Sequence, residues 1–281
     1  MTYVLITGGS SGIGREMAFQ WAERGRNVLL VALPNAALAE TAREVETRYP
    51  AVSCRTFGVD LSQPTAAEEI LDFLNTERLS VDTLINNAGI SAGGPYEQLS
   101  AFQVQVIVNT NALATAQLCL GLLPELRRHP VAYILNVSSM GGLTPTPYAT
   151  LYSASKHFVA GLSQALRQEL GRDSNIQLSV LCPGPVLTGH ARHQTRTGQH
   201  GPIAKLLIKY PAEVAKAAID GLLAGKAVII PGRVNWLFVG ILRVLPQGLR
   251  MRILTNIFSK THNETRPELS HEIERSGHHR R

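Results

Sequence analysis

Short apolar runs of strand length alternate with helical patterns along most of the chain. The runs are Tyr3 to Thr7, Val28 to Leu33, Ser53 to Val59, Thr83 to Asn86, Ala132 to Val137, Gln177 to Cys182 and Val228 to Pro231. Strands apolar at nearly every position are buried on both faces, and helices between them suit crossovers. The rhythm therefore predicts an α/β fold with a doubly wound parallel sheet of about seven strands. After Gly14, the pairs Met17 and Trp21, and Ala18 and Ala22, fall at i, i+4 and form one apolar helical face, with Gly25 just past its end. No internal repeat and no Pro/Gly/Ser-rich linker divides the chain, so residues 1–233 read as one domain. The rhythm breaks twice. Residues 184–203 carry four Gly, two Pro and three His and read as a long loop. From Val234 an apolar and basic extension runs to about residue 260, and the polar remainder, 261–281, reads as a mobile tail.

The turn Thr7-Gly8-Gly9-Ser10-Ser11-Gly12-Ile13-Gly14 closes the first strand and opens the first helix. Backbone N–H groups and the positive end of a helix dipole meet there, which suits a dinucleotide pyrophosphate. Gly8 permits the tight turn, Gly12 lets phosphates approach, and Gly14 allows helix to pack on strand. Tyr152 and Lys156 stand at i, i+4 on one helical face, where an ammonium is expected to pull a phenol down from its usual value near 10. A tyrosine so tuned works as a general acid or base toward a carbonyl or alcohol oxygen. Ser139 ends a predicted strand at the sheet edge where ligands of α/β proteins bind, and its hydroxyl could orient the same oxygen.

The glycine spacing G-x-x-x-G-x-G resembles that of the short-chain dehydrogenase/reductase family. Further matches follow in the family's order: Asp60-Leu61, Asn86-Asn87-Ala88-Gly89, Ser138-Ser139, Tyr152-Ser153-Ala154-Ser155-Lys156 and Pro183-Gly184, covering roughly residues 2 to 190. The resemblance implies strand order 3-2-1-4-5-6-7 and a nicotinamide-dependent oxidoreductase. It makes Tyr152 the proton donor or acceptor, Lys156 the ribose ligand that tunes it, and Ser139 the group polarising the carbonyl. The family's asparagine commonly lies thirteen residues before a proline, as Asn111 does before Pro124, so Asn111 is preferred to Asn109. Cofactor contacts are implied at Gly8, Ser10, Ser11, Gly12, Ile13, Gly14, Arg15, Leu33, Asp60, Leu61, Asn87, Ala88 and Gly89. Tyr152, Lys156, Pro183, Gly184, Val186 and Thr188 complete that set. The end of the second strand, Val31-Ala32-Leu33-Pro34-Asn35, lacks the carboxylate that binds a ribose 2′-OH, and Arg15 and Asn35 are candidate neighbours of a 2′-phosphate; NADP is expected, with NAD as the alternative. The family's habit also implies a homo-oligomer built through helices beside the active site.

Substrate identity sits in the loop after Gly184 and in the C-terminal stretch. The candidate lining, Gly93, Gly94, Tyr96, Met140, Gly142, Leu143, Val186, Leu187 and Trp236, is mostly apolar, with His190 and His193 as polar candidates. A hydrophobic ketone, steroid-like or 3-oxoacyl compound is expected, and this half of the chain is loosely similar to long-chain 3-oxoacyl and hydroxysteroid reductases. An NAD-linked alcohol dehydrogenase, a non-catalytic nicotinamide-binding scaffold and a peripheral membrane protein are the rival readings.

Composition changes this picture little. The 281 residues suffice for one large core, and 44% hydrophobic against 17% charged content excludes a disordered or collagen-like chain. Cys54, Cys119 and Cys182 are odd in number and lie in apolar stretches, which supports neither a disulfide framework nor a metal site and fits a reducing, cytoplasmic setting. No uninterrupted apolar run reaches the roughly 18 to 20 residues that span a bilayer, and nothing points to a nucleic-acid partner. The net charge of +6 is concentrated after residue 232, where nine Lys/Arg face four Asp/Glu. The stretch from Trp236 to Leu245 and the arginines beyond it suit either a cover over the substrate site or a membrane interface. The cover is the expectation.

Overall fold

The structure is a computed structural model that describes residues 1–91, 93–172, 174–187 and 207–264. Seven strands form one sheet: β1 (Thr2–Thr7), β2 (Asn27–Ala32), β3 (Cys54–Gly58), β4 (Ser80–Asn86), β5 (Ala132–Val137), β6 (Ile176–Leu181) and β7 (Val228–Ile229). Their order is β3-β2-β1-β4-β5-β6-β7, with every pairing parallel. The strand direction of growth reverses between β1 and β4, and the crevice at that point is where open α/β sheets hold ligands.

The connecting helices are α1 (Gly12–Glu23), α2 (Ala36–Arg48), α3 (Ala66–Thr76), α4 (Ala101–Val108), α5 (Ala114–Leu126), α6 (Thr150–Leu170) and α7 (Pro211–Leu223). They cover both faces of the sheet because successive strand residues point to opposite sides. In β1, Val4 and Ile6 join Met17 and Trp21 of α1 and Val214 and Ile219 of α7 in one core. Tyr3 and Leu5 join Ile70 of α3 and Leu118 and Leu122 of α5 in the other. Each fully buried Leu or Ile contributes roughly 1.5–3 kcal/mol, so the glycine turn and the sheet edge rest on a stiff support.

Helix α4 passes into α5 through a π-helical turn, Asn109–Leu113. The helical run Ala101–Leu126 is the one among the described residues long and apolar enough to cross a membrane by length and composition, yet 56% of its apolar window is buried. It is a core helix lying against the sheet. Beyond β7 come α8 (Arg233–Val244) and α9 (Gln247–Glu264). Asn235, Val239 and Leu242 of α8 and Leu254 of α9 are buried, so the extension packs on the domain through one side. Thr188, His190 and His193, and the tail from 265 to 281, lie outside the described residues.

Candidate active site

The glycine turn has the shape that a bound dinucleotide requires. Gly8 adopts φ +66, and a Cβ there would stand 2.9 Å from the Ala88 Cα; a Cβ on Gly14 would stand 2.3 Å from the Gly8 carbonyl oxygen. The Asn87 Nδ2 donates to the Thr7 carbonyl at 2.9 Å and the Gly8 carbonyl at 3.3 Å, tying the segment after β4 onto the turn. Thr7 Oγ1 accepts from the backbone N–H groups of Asn87 and Ala88, each at 3.0 Å. Ser11 caps α1 without a side-chain hydrogen bond and the first helical turn holds no acidic residue, so the leading N–H groups are left for an anion. These residues fit a pyrophosphate.

Other sequence candidates for the cofactor take up more specific places. Thr41 Oγ1 donates to the Ser10 carbonyl, and Ile13 packs against the core. Asp60 accepts the Ser62 N–H at 2.9 Å, and Leu61 is buried beside it. Leu33 is 46% exposed at the mouth of the crevice. Met140 N–H donates to the Pro183 carbonyl, Gly184 lies against Asn235 and Met140, and Val186 bridges to Lys209. Arg15 differs from expectation. Its guanidinium holds both Glu44 carboxylate oxygens at 2.7 Å and lies over the Phe19 ring, so its charge is already met by α2. Asn35 also serves structure, accepting the Leu38 N–H as the cap of α2.

At the carboxyl edge of β4 and β5 the structure brings the four catalytic candidates together. Lys156 is buried, with Nζ 2.9 Å from the Val137 carbonyl. Gly89 makes room for it: a Cβ there would stand 3.0 Å from Lys156 Nζ and 3.3 Å from Asn111 Oδ1. Asn111 is fully buried in the π-turn, where Oδ1 accepts the Ile90 N–H at 2.8 Å and Nδ2 donates to the Ile90 carbonyl and to Ser155 Oγ. Asn109 instead donates to the Ser62 carbonyl, away from this cluster. Ser139 accepts the Gly141 N–H at 3.1 Å and pairs with the Tyr152 phenol.

Three serines of the Ser138-Ser139 and Tyr152–Lys156 motifs, none of them a catalytic candidate, fix this arrangement. Ser138 Oγ donates to the Lys156 carbonyl at 2.7 Å, Ser153 Oγ to the Gly141 carbonyl at 2.6 Å, and Ser155 Oγ to the Tyr152 carbonyl at 2.7 Å. The first two join the start of α6 to the segment after β5, and the third lies within α6. On the substrate side, the Gly94 N–H donates to the carbonyl of Tyr148, which holds φ +60 just before α6. Two expected lining residues stand elsewhere. Gly142 is buried, with a Cβ position 2.2 Å from Ser138 Oγ, and works as a packing position. Trp236 is 65% exposed on the outer side of α8.

The electrostatics correct one expectation. Burial pushes the Tyr152 phenol up from its usual value, with the Ser139 hydrogen bond acting the other way, whereas the i, i+4 ammonium was expected to pull it down. The reason is geometric: Lys156 Nζ is 6.0 Å from the Tyr152 ring centroid and is spent on the Val137 carbonyl. Burial also lowers Lys156, to about 8. The phenol is therefore a protonated group at neutral pH, poised to give a proton.

A half-buried acid beside a dinucleotide turn, on one edge of a doubly wound sheet, is the working arrangement of an α/β oxidoreductase. The chain belongs to the short-chain dehydrogenase family, whose model matches residues 2–199. Similar proteins include a very-long-chain 3-oxoacyl-CoA reductase of Neurospora crassa, 32% identical over 222 residues that cover 78% of this chain and 64% of the relative. A 3-ketodihydrosphingosine reductase of Bacteroides thetaiotaomicron is 31% identical, over 78% of this chain and 77% of the relative. The chain spans about half to two thirds of the length of the fungal relatives it matches. Among solved structures, a short-chain dehydrogenase from Sphingobium yanoikuyae in complex with NADPH superposes with a TM-score of 0.71 at 27% identity, covering 88% of this chain and 97% of that one.

Proposed function

We propose that the protein reduces a hydrophobic ketone, of the 3-oxoacyl or sphingoid-like class, to a secondary alcohol with NADPH. The observation that carries this reading is the Tyr152 phenol, held protonated by burial and paired with the Ser139 hydroxyl. In a reduction the oxygen gains negative charge as the carbonyl carbon receives hydride, and both hydroxyls donate to it there. The bound cofactor supplies the hydride. Tyr152 gives up its proton and the phenolate that remains keeps its Ser139 hydrogen bond, while Lys156, charged at neutral pH and fixed on the Val137 carbonyl, would hold the nicotinamide ribose. Asn111 holds the Ile90 backbone and, through Ser155, the first turn of α6, so it positions the acid. The apolar surroundings of Met140, Leu143 and Val186, and the reductase relatives, support an apolar substrate.

The choice of NADPH rests on the end of β2. Leu33 there neither binds a 2′-OH nor repels a 2′-phosphate, and α2 begins just beyond it with no acidic residue in its first turn. Fluorescence titration should give NADPH a dissociation constant at least about tenfold below that of NADH, and Leu33→Asp should remove or reverse that preference. Equal or tighter NADH binding by the wild type would favour an NAD-linked alcohol dehydrogenase, and no binding of either would favour a scaffold. The exposed Phe102, Leu120 and Phe158 on α4, α5 and α6 support an oligomer formed through these helices.

A further inference from the structure

Helix α8 carries two apolar stripes, and the domain uses only one of them. Asn235, Val239 and Leu242 face inward and are buried. Val234, Leu237, Ile241 and Val244, at i, i+3, i+7 and i+10, form a second stripe that is 40%, 56%, 50% and 81% exposed. Leu249, at the start of α9, is likewise exposed, at 48%. A surface helix that serves only its own core needs one stripe, so the second asks for an apolar neighbour. Beside it stand Trp236, 65% exposed, and Arg243 seven residues on. From Arg233 to Asn263 the sequence holds Arg233, Arg243, Arg250, Arg252 and Lys260 and no carboxylate.

We propose that the outer face of α8, with the start of α9, docks the protein on an anionic lipid bilayer. The stripe would enter the acyl boundary, with Trp236 and the arginines at the level of the headgroups. The charge excludes a second copy of the same face as the favoured occupant, because paired faces would oppose like charges, whereas an acidic leaflet complements them. The 12-residue α8 is about 18 Å long, short of the roughly 30 Å of a bilayer core, so the helix lies in the interface rather than across it. The inner side of α8 meets the active site: Asn235 Nδ2 is 2.9 Å from the Cβ position of Gly184. Docking would thus turn the substrate side of the site toward the bilayer, the phase where an apolar substrate resides. Binding itself is independent of the reaction assigned above.

The test is co-sedimentation of the full chain with vesicles of phosphatidylcholine alone and of phosphatidylcholine with phosphatidylserine, read together with tryptophan emission. Trp21 is buried at 2% exposure and Trp236 is not, so a blue shift on vesicles reports α8, and Trp236→Phe should remove it. The expected result is binding that requires phosphatidylserine, accompanied by that shift. The double variant Leu237→Asp, Ile241→Asp should weaken binding by about tenfold or more while turnover of a water-soluble ketone is unchanged. Failure of the wild type to bind acidic vesicles would overturn the proposal, as would binding by the double variant equal to wild type. Dissociation of an oligomer by the double variant, with no vesicle binding by wild type, would instead assign the face to contact between copies.

Discussion

Tyr152→Phe should lower kcat by about a thousandfold, the middle of the range expected for loss of a positioned general acid. That corresponds to roughly 4 kcal/mol of transition-state stabilisation. The substitution removes one oxygen and leaves the helix that carries it intact. Lys156 keeps its bond to the Val137 carbonyl, Asn111 keeps both bonds to Ile90, and Ser139 keeps the Gly141 N–H. The glycine turn lies between β1 and α1 and is untouched. NADPH binding should therefore stay within about twofold of wild type while kcat and kcat/KM fall together, the signature of an interaction made in the transition state. Single-turnover kinetics beside a cofactor titration would check this. Turnover within tenfold of wild type would refute Tyr152 as the acid, and a parallel loss of cofactor binding would show that the substitution acts through structure.

The seven strands were legible because a strand buried on both faces is apolar at almost every position, and their order followed from the family resemblance. The errors fall where that logic weakens. β4 begins at Ser80 and not at Thr83, since Asp82 interrupts the apolar run yet is held by Arg26 from across the sheet edge. The π-turn that buries Asn111 left no trace, because one extra residue in a helical turn does not disturb an apolar pattern that continues on both sides. Tyr152, Lys156, Ser139 and Asn111 were legible from spacing and resemblance, and the structure brings them to one edge. Their electrostatics were not: an i, i+4 ammonium was expected to govern Tyr152, and only the fold could show that a backbone carbonyl claims that ammonium and that burial dominates. Arg15 makes the same point, since the Glu44 that binds it lies 29 residues away. The two apolar stripes of α8 are both written in the sequence, but which of them meets the core is decided by packing.

Lys156→Met should stabilise the protein and abolish most of its activity, because this lysine is held where folding alone would not put it. Burial lowers its ammonium from 10.5 to about 8, and a shift of that size corresponds to a penalty of roughly 3 kcal/mol at neutral pH. Cys182 beside it is pushed up to about 12 by burial, so at pH 8 it is a neutral thiol and offers no countercharge. Methionine fills similar volume without a charge, but it takes the Lys156 donor from the buried Val137 carbonyl, at about 1–3 kcal/mol. A net gain of up to roughly 2 kcal/mol, or a few degrees in Tm, is expected at pH 7. The pH dependence gives a sharper check. Between about 8 and 10.5 the unfolded chain binds the Lys156 proton that the folded chain has released, so the wild-type penalty fades as pH rises through that window. The stabilisation of the variant over wild type should shrink correspondingly, and the difference cancels the opposing titration of the buried cysteines. On the catalytic side, wild-type reduction should decline above about pH 8 as the ammonium is lost, and Lys156→Met should show kcat lower by about a hundredfold or more. A variant less stable than wild type at pH 7, or one whose advantage does not change between pH 7 and 10, would show that burial does not lower the Lys156 ammonium.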